Sequence, residues 1–322
     1  MVQAFPTGMS LKLALQGGGA HGAFTWGVLD RLLTIPGIAV SAVSGTSSGA
    51  MNGAALAQGW MRGGAAGARD LLAQFWDAVS RQSAMHQWFA AGMQALHDAS
   101  WLTPGASPQA FNALRPIVEG TFDIESLRRS PIALYVAATR VRDAALTVFH
   151  GDRLTHDALL ASACLPPWHP LIEIDGEGYW DGGFAGNPTL EPLLGLPGDD
   201  ILCVLVQPLR LSAAPQRPRD MIDISVQQAF GAAFWRELRD LASAWHRIDS
   251  RLWLSSEEKH LKRLELHVVA PADALGTQDT RQHRLRQLHE QGWAAADAWW
   301  RTEGELLGQR GGKVAWIDRF GL

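Results

Sequence analysis

Three features of this sequence predict an α/β fold in which a mainly parallel sheet is covered by helices on both faces. Short apolar, β-rich runs alternate with helical periodicity through the first two-thirds of the chain. Two of those runs end in glycine immediately before a helical segment. The last third changes character and becomes mostly helical.

In order, Leu11 to Gln16 reads as a short buried strand, followed from Gly19 by a helix to about Leu33. Ile38 to Gly45 is a second β-rich run. Helix follows in AMNGAALAQGW (50–60) and again in ARDLLAQFWDAV (68–79), where Leu72, Phe75, Trp76 and Val79 share one face. Residues 100–116 carry Pro, Gly and Ser and read as a loop. Pro131 to Val141 is a strand with ALTVFHG (145–151) available to pair with it. THDALLASACL (155–165) is a helix, capped by Thr155 and stopped by the prolines at 166–167. A turn at Asp175–Gly176 divides LIEIDGEGYWDGG (171–183), and ILCVLVQP (201–208) is another strand.

Past the composition dip APQRPRD (214–220), Val226, Phe230, Phe234, Leu238, Leu241, Trp245, Ile248 and Leu252 recur at helical spacing. RLELHVVAPA (263–272) adds a strand, and Leu285, Leu288, Ala295, Trp299 and Leu306 mark a final amphipathic helix. No repeat, low-complexity tract or clear linker interrupts the 322 residues, so one domain spanning 1–322 is expected.

A net charge of −4 with no dense Lys/Arg run argues against nucleic acid as a partner. Cys164 and Cys203 lie in apolar surroundings and read as buried thiols. Apolar stretches stop short of the about 18 residues a membrane span needs. No basic leader precedes a long apolar segment, so a cytoplasmic location is expected. Fourteen tryptophans stand out, and the Trp-rich segments HQWFAAGMQAL (86–96) and WAAADAWW (293–300) suit either helix packing or an acyl channel or lipid contact.

Gly45-Thr46-Ser47-Ser48-Gly49 matches the nucleophile-elbow pattern G-x-S-x-G between a β-run and a helix. A serine on so sharp a turn needs small residues two before and two after it. Its hydroxyl then projects at the positive end of the helix, and the following amide, that of Ser48, is free to donate to an oxyanion. Five such residues alone also suit a serine that simply caps a helix.

Gly17-Gly18-Gly19-Ala20-His21-Gly22 formally contains G-x-G-x-x-G after a strand. A dinucleotide site wants an acidic residue about 20 positions on, and residues 35–45 hold none. A Walker-type loop ends in Gly-Lys-Ser/Thr, whereas Ala23-Phe24 follow Gly22. An oxyanion hole keeps every feature: bare amides beside an activated serine contribute about 2.7–4 kcal/mol per donor to the transition state.

Serine also needs a proton acceptor. Among 11 histidines, His169 and His267 are the candidates for a conventional Ser-His-Asp arrangement, though neither sits in a distinctive motif. Asp181, followed by Gly182 and Gly183 in YWDGGFAGNP (179–188), is an alternative, although Asp-Gly-Gly is also a plain turn signal.

Taken in order, GGGAHG, GTSSG and DGG resemble the signature of the patatin-like phospholipases and lipid acyl hydrolases, over residues 11 to about 208. The resemblance implies a three-layer α/β/α sandwich with a mainly parallel central sheet and a Ser–Asp dyad that needs no histidine. By position it implies Ser47 as nucleophile and Asp181 as base. Gly17, Gly18, Gly19 and Ser48 would supply oxyanion amides, with His21, Gly45, Gly49, Gly182 and Gly183 in support. It implies a lipid or phospholipid substrate reached by peripheral contact with a membrane, no cofactor and no metal. The family usually carries Arg or Lys where this chain has His21, which would make activity weaker or sensitive to pH as an imidazole titrates. A fold kept only to hold a fatty acyl group is the non-enzymatic alternative.

Overall fold

The structure, a computed structural model, describes residues 9–82, 114–166, 169–276 and 278–308. The segment 86–96 and most of the expected loop at 100–116 lie outside the described residues.

Parallel strands β1 (Met9–Leu15), β2 (Ile38–Thr46), β3 (Ala133–Arg140), β7 (Asp200–Val204) and β8 (Glu265–Val269) form the centre of the sheet. Antiparallel β4 (Leu146–Phe149), β5 (Ile172–Ile174) and β6 (Glu177–Asp181) complete one side. Among the described residues the order is β5-β6-β3-β2-β1-β7-β8, with β4 also on β3. The β5–β6 hairpin turns at Asp175 and Gly176, both with positive φ (54° and 77°), which is the geometry a two-residue hairpin favours.

Strand period separates two cores. Leu11, Leu13 and Leu15 of β1 face one side with Leu202 and Val204 of β7, while Ala14, Ile201 and Cys203 face the other. The first side is covered by α1 (Gly22–Leu32), α2 (Ser48–Arg81) and α9 (Gln282–Glu303). The second is covered by α7 (Pro218–Asp249), the short α6 (Glu191–Leu194) before it and α8 (Ser256–Arg263) after it. Helices α3 (Leu114–Thr121), α4 (Ile124–Arg128) and α5 (His156–Ser162) close the end near β3. This is the three-layer, mostly parallel arrangement the motifs implied. Lys12 alternates onto the second face, where its buried ammonium donates to Leu193 O at 3.1 Å and Leu196 O at 3.2 Å. Burial lowers its pKa to about 8.

Several boundaries differ from the sequence reading. The two helices expected within 50–79 are the halves of α2, interrupted at Gly63–Gly64, where Gly64 has φ 60°. The second half folds back so closely that a Cβ at Gly59 would lie 2.5 Å from Gly67 O. Residues 114–116, expected in a loop, open α3. Helix α5 ends at Ser162, before the prolines, because the chain peels away so that Cys164 O can accept from Asp181 N at 2.7 Å. Helix α7 begins inside the composition dip, at Pro218, a residue the first turn tolerates. It stops at Asp249, so Leu252 is 95% exposed and not on its apolar face.

The 293–300 tryptophans belong to helix packing. Trp299 is buried edge-on to His267, and Arg31 lies over the Trp293 ring. Helices α1 and α9 cross with almost no space between backbones: a Cβ at Gly292 would sit 1.9 Å from Phe24 O, and one at Gly27 1.9 Å from His289 O. Gly292→Ala is therefore expected to lower stability by about 1–3 kcal/mol or more, since backbone cannot yield as a side-chain tip can. A urea midpoint equal to wild type would contradict this crossing.

Candidate active site

Ser47 lies between the last residue of β2 and the first of α2, with φ 54° and ψ −123°. A non-glycine residue there is strained by about 1–3 kcal/mol, so its surroundings must hold it. A Cβ at Gly45 would fall 2.7 Å from Ala50 N, and one at Gly49 2.2 Å from Leu15 O, so both flanking glycines are sterically required. Ser47 N–H donates to Ser162 Oγ at 2.8 Å, and Thr46 Oγ1 donates to Gly186 O at 2.8 Å. Ser47 C=O accepts the first helical bond, from Met51 N at 3.2 Å. Because a trans peptide points its C=O and N–H in opposite directions, the Ser48 amide is aimed out of the helix N-terminus.

Strand β3 brings Asp181 to this turn. Ala137 faces Thr46 of β2, and the next residue, Ala138, faces Asp181 of β6. The Asp181 carboxyl is hydrogen-bonded to Ser47 and accepts from Gly183 N at 2.7 Å. Its main chain is fixed by Cys164 O and by Thr139 Oγ1, which donates to Asp181 O at 2.8 Å. Burial raises the Asp181 pKa from 3.8 to about 7, against the opposing pull of the Gly183 and Ser47 hydrogen bonds. Gly182 and Gly183 permit the fit: Cβ atoms there would lie 2.4 Å from Ala137 O and 2.0 Å from the Phe230 ring.

The glycine-rich turn calls for a correction. Gly17 N–H is taken by Asn187 Oδ1 at 2.6 Å, with Asn187 Nδ2 returning a bond to Gly17 O at 3.2 Å. Gly17 is needed for space, since a Cβ would lie 2.5 Å from Thr46 O, and its amide does not open onto the site. Gly18 N–H donates to Ser48 Oγ at 3.1 Å. Gly19, with φ 56°, and Ser48 both border the cavity, and among the described residues neither amide has a protein acceptor. His21 is buried, with Nε2 3.0 Å from Gly276 O and Nδ1 3.1 Å from Gln278 Nε2. Its ring is turned to Gly276 and Gln278 and is not among the residues that line the cavity.

The cavity at Ser47 is walled by Met51, Phe75, Trp76, Val79, Leu114 and Leu165. Three of these, Phe75, Trp76 and Val79, come from the apolar face read in 68–79. Asn52 fixes that wall by accepting from Trp76 Nε1 at 3.0 Å while donating to Ser48 O at 2.9 Å. His169 also borders the cavity, but burial lowers its pKa to about 4 and its Nδ1 accepts from Leu165 N at 3.3 Å. His267 is bonded to Asp200, the first residue of β7, at 2.9 Å, at the end of the strand away from the glycine turn. Asn187, Ser162 and Gln278 were missed by sequence reasoning. Asn187 lies in YWDGGFAGNP and Ser162 in the helical run THDALLASACL, whereas Gln278 lies in no motif singled out. Among the described residues no group of three or more His, Cys, Asp or Glu side chains could hold a metal, and no helix is long and apolar enough to cross a membrane.

The model of a family described as patatin-like phospholipase matches residues 13–194, more than half of the chain. Similar solved structures include VipD from Legionella pneumophila and ExoU from Pseudomonas aeruginosa, the latter in its complex with SpcU. For VipD the identity is 15% and the TM-score 0.44, over 92% of this chain and 67% of that one. For ExoU they are 16% and 0.35, over 99% of this chain and 64% of that one. No curated protein sequence matches.

The raised pKa of Asp181 has a consequence for stability. Between about 3.9, where an unfolded aspartate ionises, and about 7, the folded chain keeps a proton that the unfolded chain has lost. The native state binds more protons, so this group makes stability fall as pH rises through that window and adds no slope above it. Denaturation across pH should show Asp181→Asn gaining on wild type as pH rises between those limits, with the gain constant above about pH 7 and absent below about 3.9. A pH-independent difference would contradict a buried, protonated carboxyl.

Proposed function

Because the chain belongs to the patatin-like phospholipase family, a family of lipid hydrolases, we propose that it cleaves carboxylic esters of lipids through an acyl-enzyme, with Ser47 as nucleophile and Asp181 as base. The observation that carries this reading is the hydrogen bond between the strained Ser47 and a buried carboxyl poised near neutral pH. An ordinary aspartate is too weak a base for an alcohol, whereas one tuned to the working pH combines ionisation with useful basicity.

The ionised Asp181 accepts the Ser47 proton as Oγ bonds to the ester carbonyl carbon. The carbonyl electrons move to oxygen, and that oxyanion is met by the Gly19 and Ser48 amides at the positive end of α2. Collapse re-forms the carbonyl and breaks the ester C–O bond, and the departing alkoxide takes the proton back from Asp181. Water then repeats the sequence on the acyl-enzyme, giving its proton to the same carboxylate and releasing the fatty acid and Ser47. The apolar cavity wall suits the acyl chain of a glycerolipid or glycerophospholipid.

A histidine base has less support. His267 is bonded to Asp200 at the end of β7 away from the glycine turn, and a group with a pKa of about 4, as at His169, is a weaker base than Asp181 at neutral pH.

Hydrolysis of a lipid panel tests this. Ser47→Ala should abolish turnover, and Asp181→Asn should lower kcat/KM by about 10²- to 10⁴-fold. Wild-type kcat/KM should rise tenfold per pH unit on the acid side of about pH 7 and level off above it. Near-normal hydrolysis by Asp181→Asn would remove it from the mechanism. Complete inertness of wild type toward esters and toward a fluorophosphonate probe would favour a protein that only holds acyl groups.

A further inference from the structure

Gln278 lies between β8 and α9, outside the residues 13–194 that carry the family likeness. Its side-chain amide spans the glycine-rich turn. Oε1 accepts Ala20 N–H at 2.9 Å, and Nε2 donates to Gly18 O at 3.0 Å and to His21 Nδ1 at 3.1 Å. A backbone N–H can only donate and a backbone C=O can only accept, so the main chain fixes which end of the amide is which. That fixes the imidazole in turn. Nδ1 must accept, so Nε2 carries the proton and donates to Gly276 O at 3.0 Å. A donor-only side chain at position 21, such as Lys or Arg, would oppose the Gln278 N–H instead of accepting from it.

The strap acts on one peptide unit. Gly18 C=O and Gly19 N–H belong to the same planar trans amide and point in opposite directions. The carbonyl is held on the strap side by Gln278 and by His21 N–H at 3.1 Å. Gly19 N–H is thereby turned away from the strap, and Gly19 borders the cavity shared with Ser47. With no Cβ at 18 or 19 the backbone itself chooses no single orientation, so an external tie has to choose it.

We infer that Gln278, locked in orientation by the Ala20 N–H and the Gly18 C=O, is a positioning residue that aims the Gly19 amide at the oxyanion; the inference rests on Ser47 being the nucleophile. It acts through Gly19 and does not touch substrate.

The test is Gln278→Met in the full chain, which keeps length and apolar bulk but removes both hydrogen-bonding ends, with Gln278→Glu beside it. Glu restores an acceptor for Ala20 and places a second acceptor against Gly18 O, so it should perform no better than Met. With a soluble short-chain ester, kcat should fall about 10- to 100-fold at unchanged KM, the signature of a misaimed transition-state donor. Hydrogen exchange at residues 18–21 should quicken while the melting temperature stays near wild type. Wild-type kcat in either folded variant, or a change confined to KM, would overturn the inference. If wild type hydrolyses no ester, the proposed function fails, and exchange still decides on the strap: unchanged protection at 18–21 in the variants overturns it.

Discussion

Strand β3 changes partner between Ala137 and Ala138, and the proposed chemistry hangs on that single step. Up to Ala137 its neighbour is β2, which ends at Thr46; from Ala138 its neighbour is β6, which ends in Asp181. A strand advances about 3.3 Å per residue, so the exchange sets the residue after Thr46 beside Asp181 with almost no freedom. Four glycines around the exchange let backbones close: Gly45 and Gly49 around the turn, Gly17 against Thr46, and Gly182 against Ala137. Slipping the β6 register by one residue would turn the carboxyl to the opposite face of the sheet.

Once the hydroxyl and the carboxyl are set, what remains is to aim amides, and the fold does so by restraining carbonyls. Ser47 C=O is held by the first turn of α2, which sends the Ser48 N–H outward. Gly18 C=O is held from the far end of the sequence, which sends the Gly19 N–H the other way. Asn187 instead holds the Gly17 N–H itself on its Oδ1, which withdraws that amide from the site. Backbone donors pre-oriented in this way need not reorganise when negative charge develops, which is where such donors gain over water.

How much of this was legible in the sequence follows from how local each requirement is. The elbow, the glycine run and Asp-Gly-Gly could be read because their steric demands fall on adjacent residues. The sheet could be read because buried parallel strands are short continuous apolar runs. Asn187 and Gln278 could not be read, because each is a lone amide whose partners lie 170 and 260 positions away. His21 reads only as the loss of the family's permanent charge, because nothing in its neighbours announces Gln278. Helix periodicity was extended to Leu252 because apolar spacing alone carries no stop signal, although α7 ends at Asp249. The tryptophans of 293–300 kept two readings open until α9 was seen packed on α1.

The most direct measurement is rapid-quench mass spectrometry of the protein during turnover of a long-chain phospholipid. A fatty acyl mass should accumulate on the peptide containing Ser47 and disappear as substrate is exhausted. Turnover with the acyl group on any other residue, or with no covalent adduct even when the second half-reaction is slowed, would contradict the assignment of Ser47 as the attacking group.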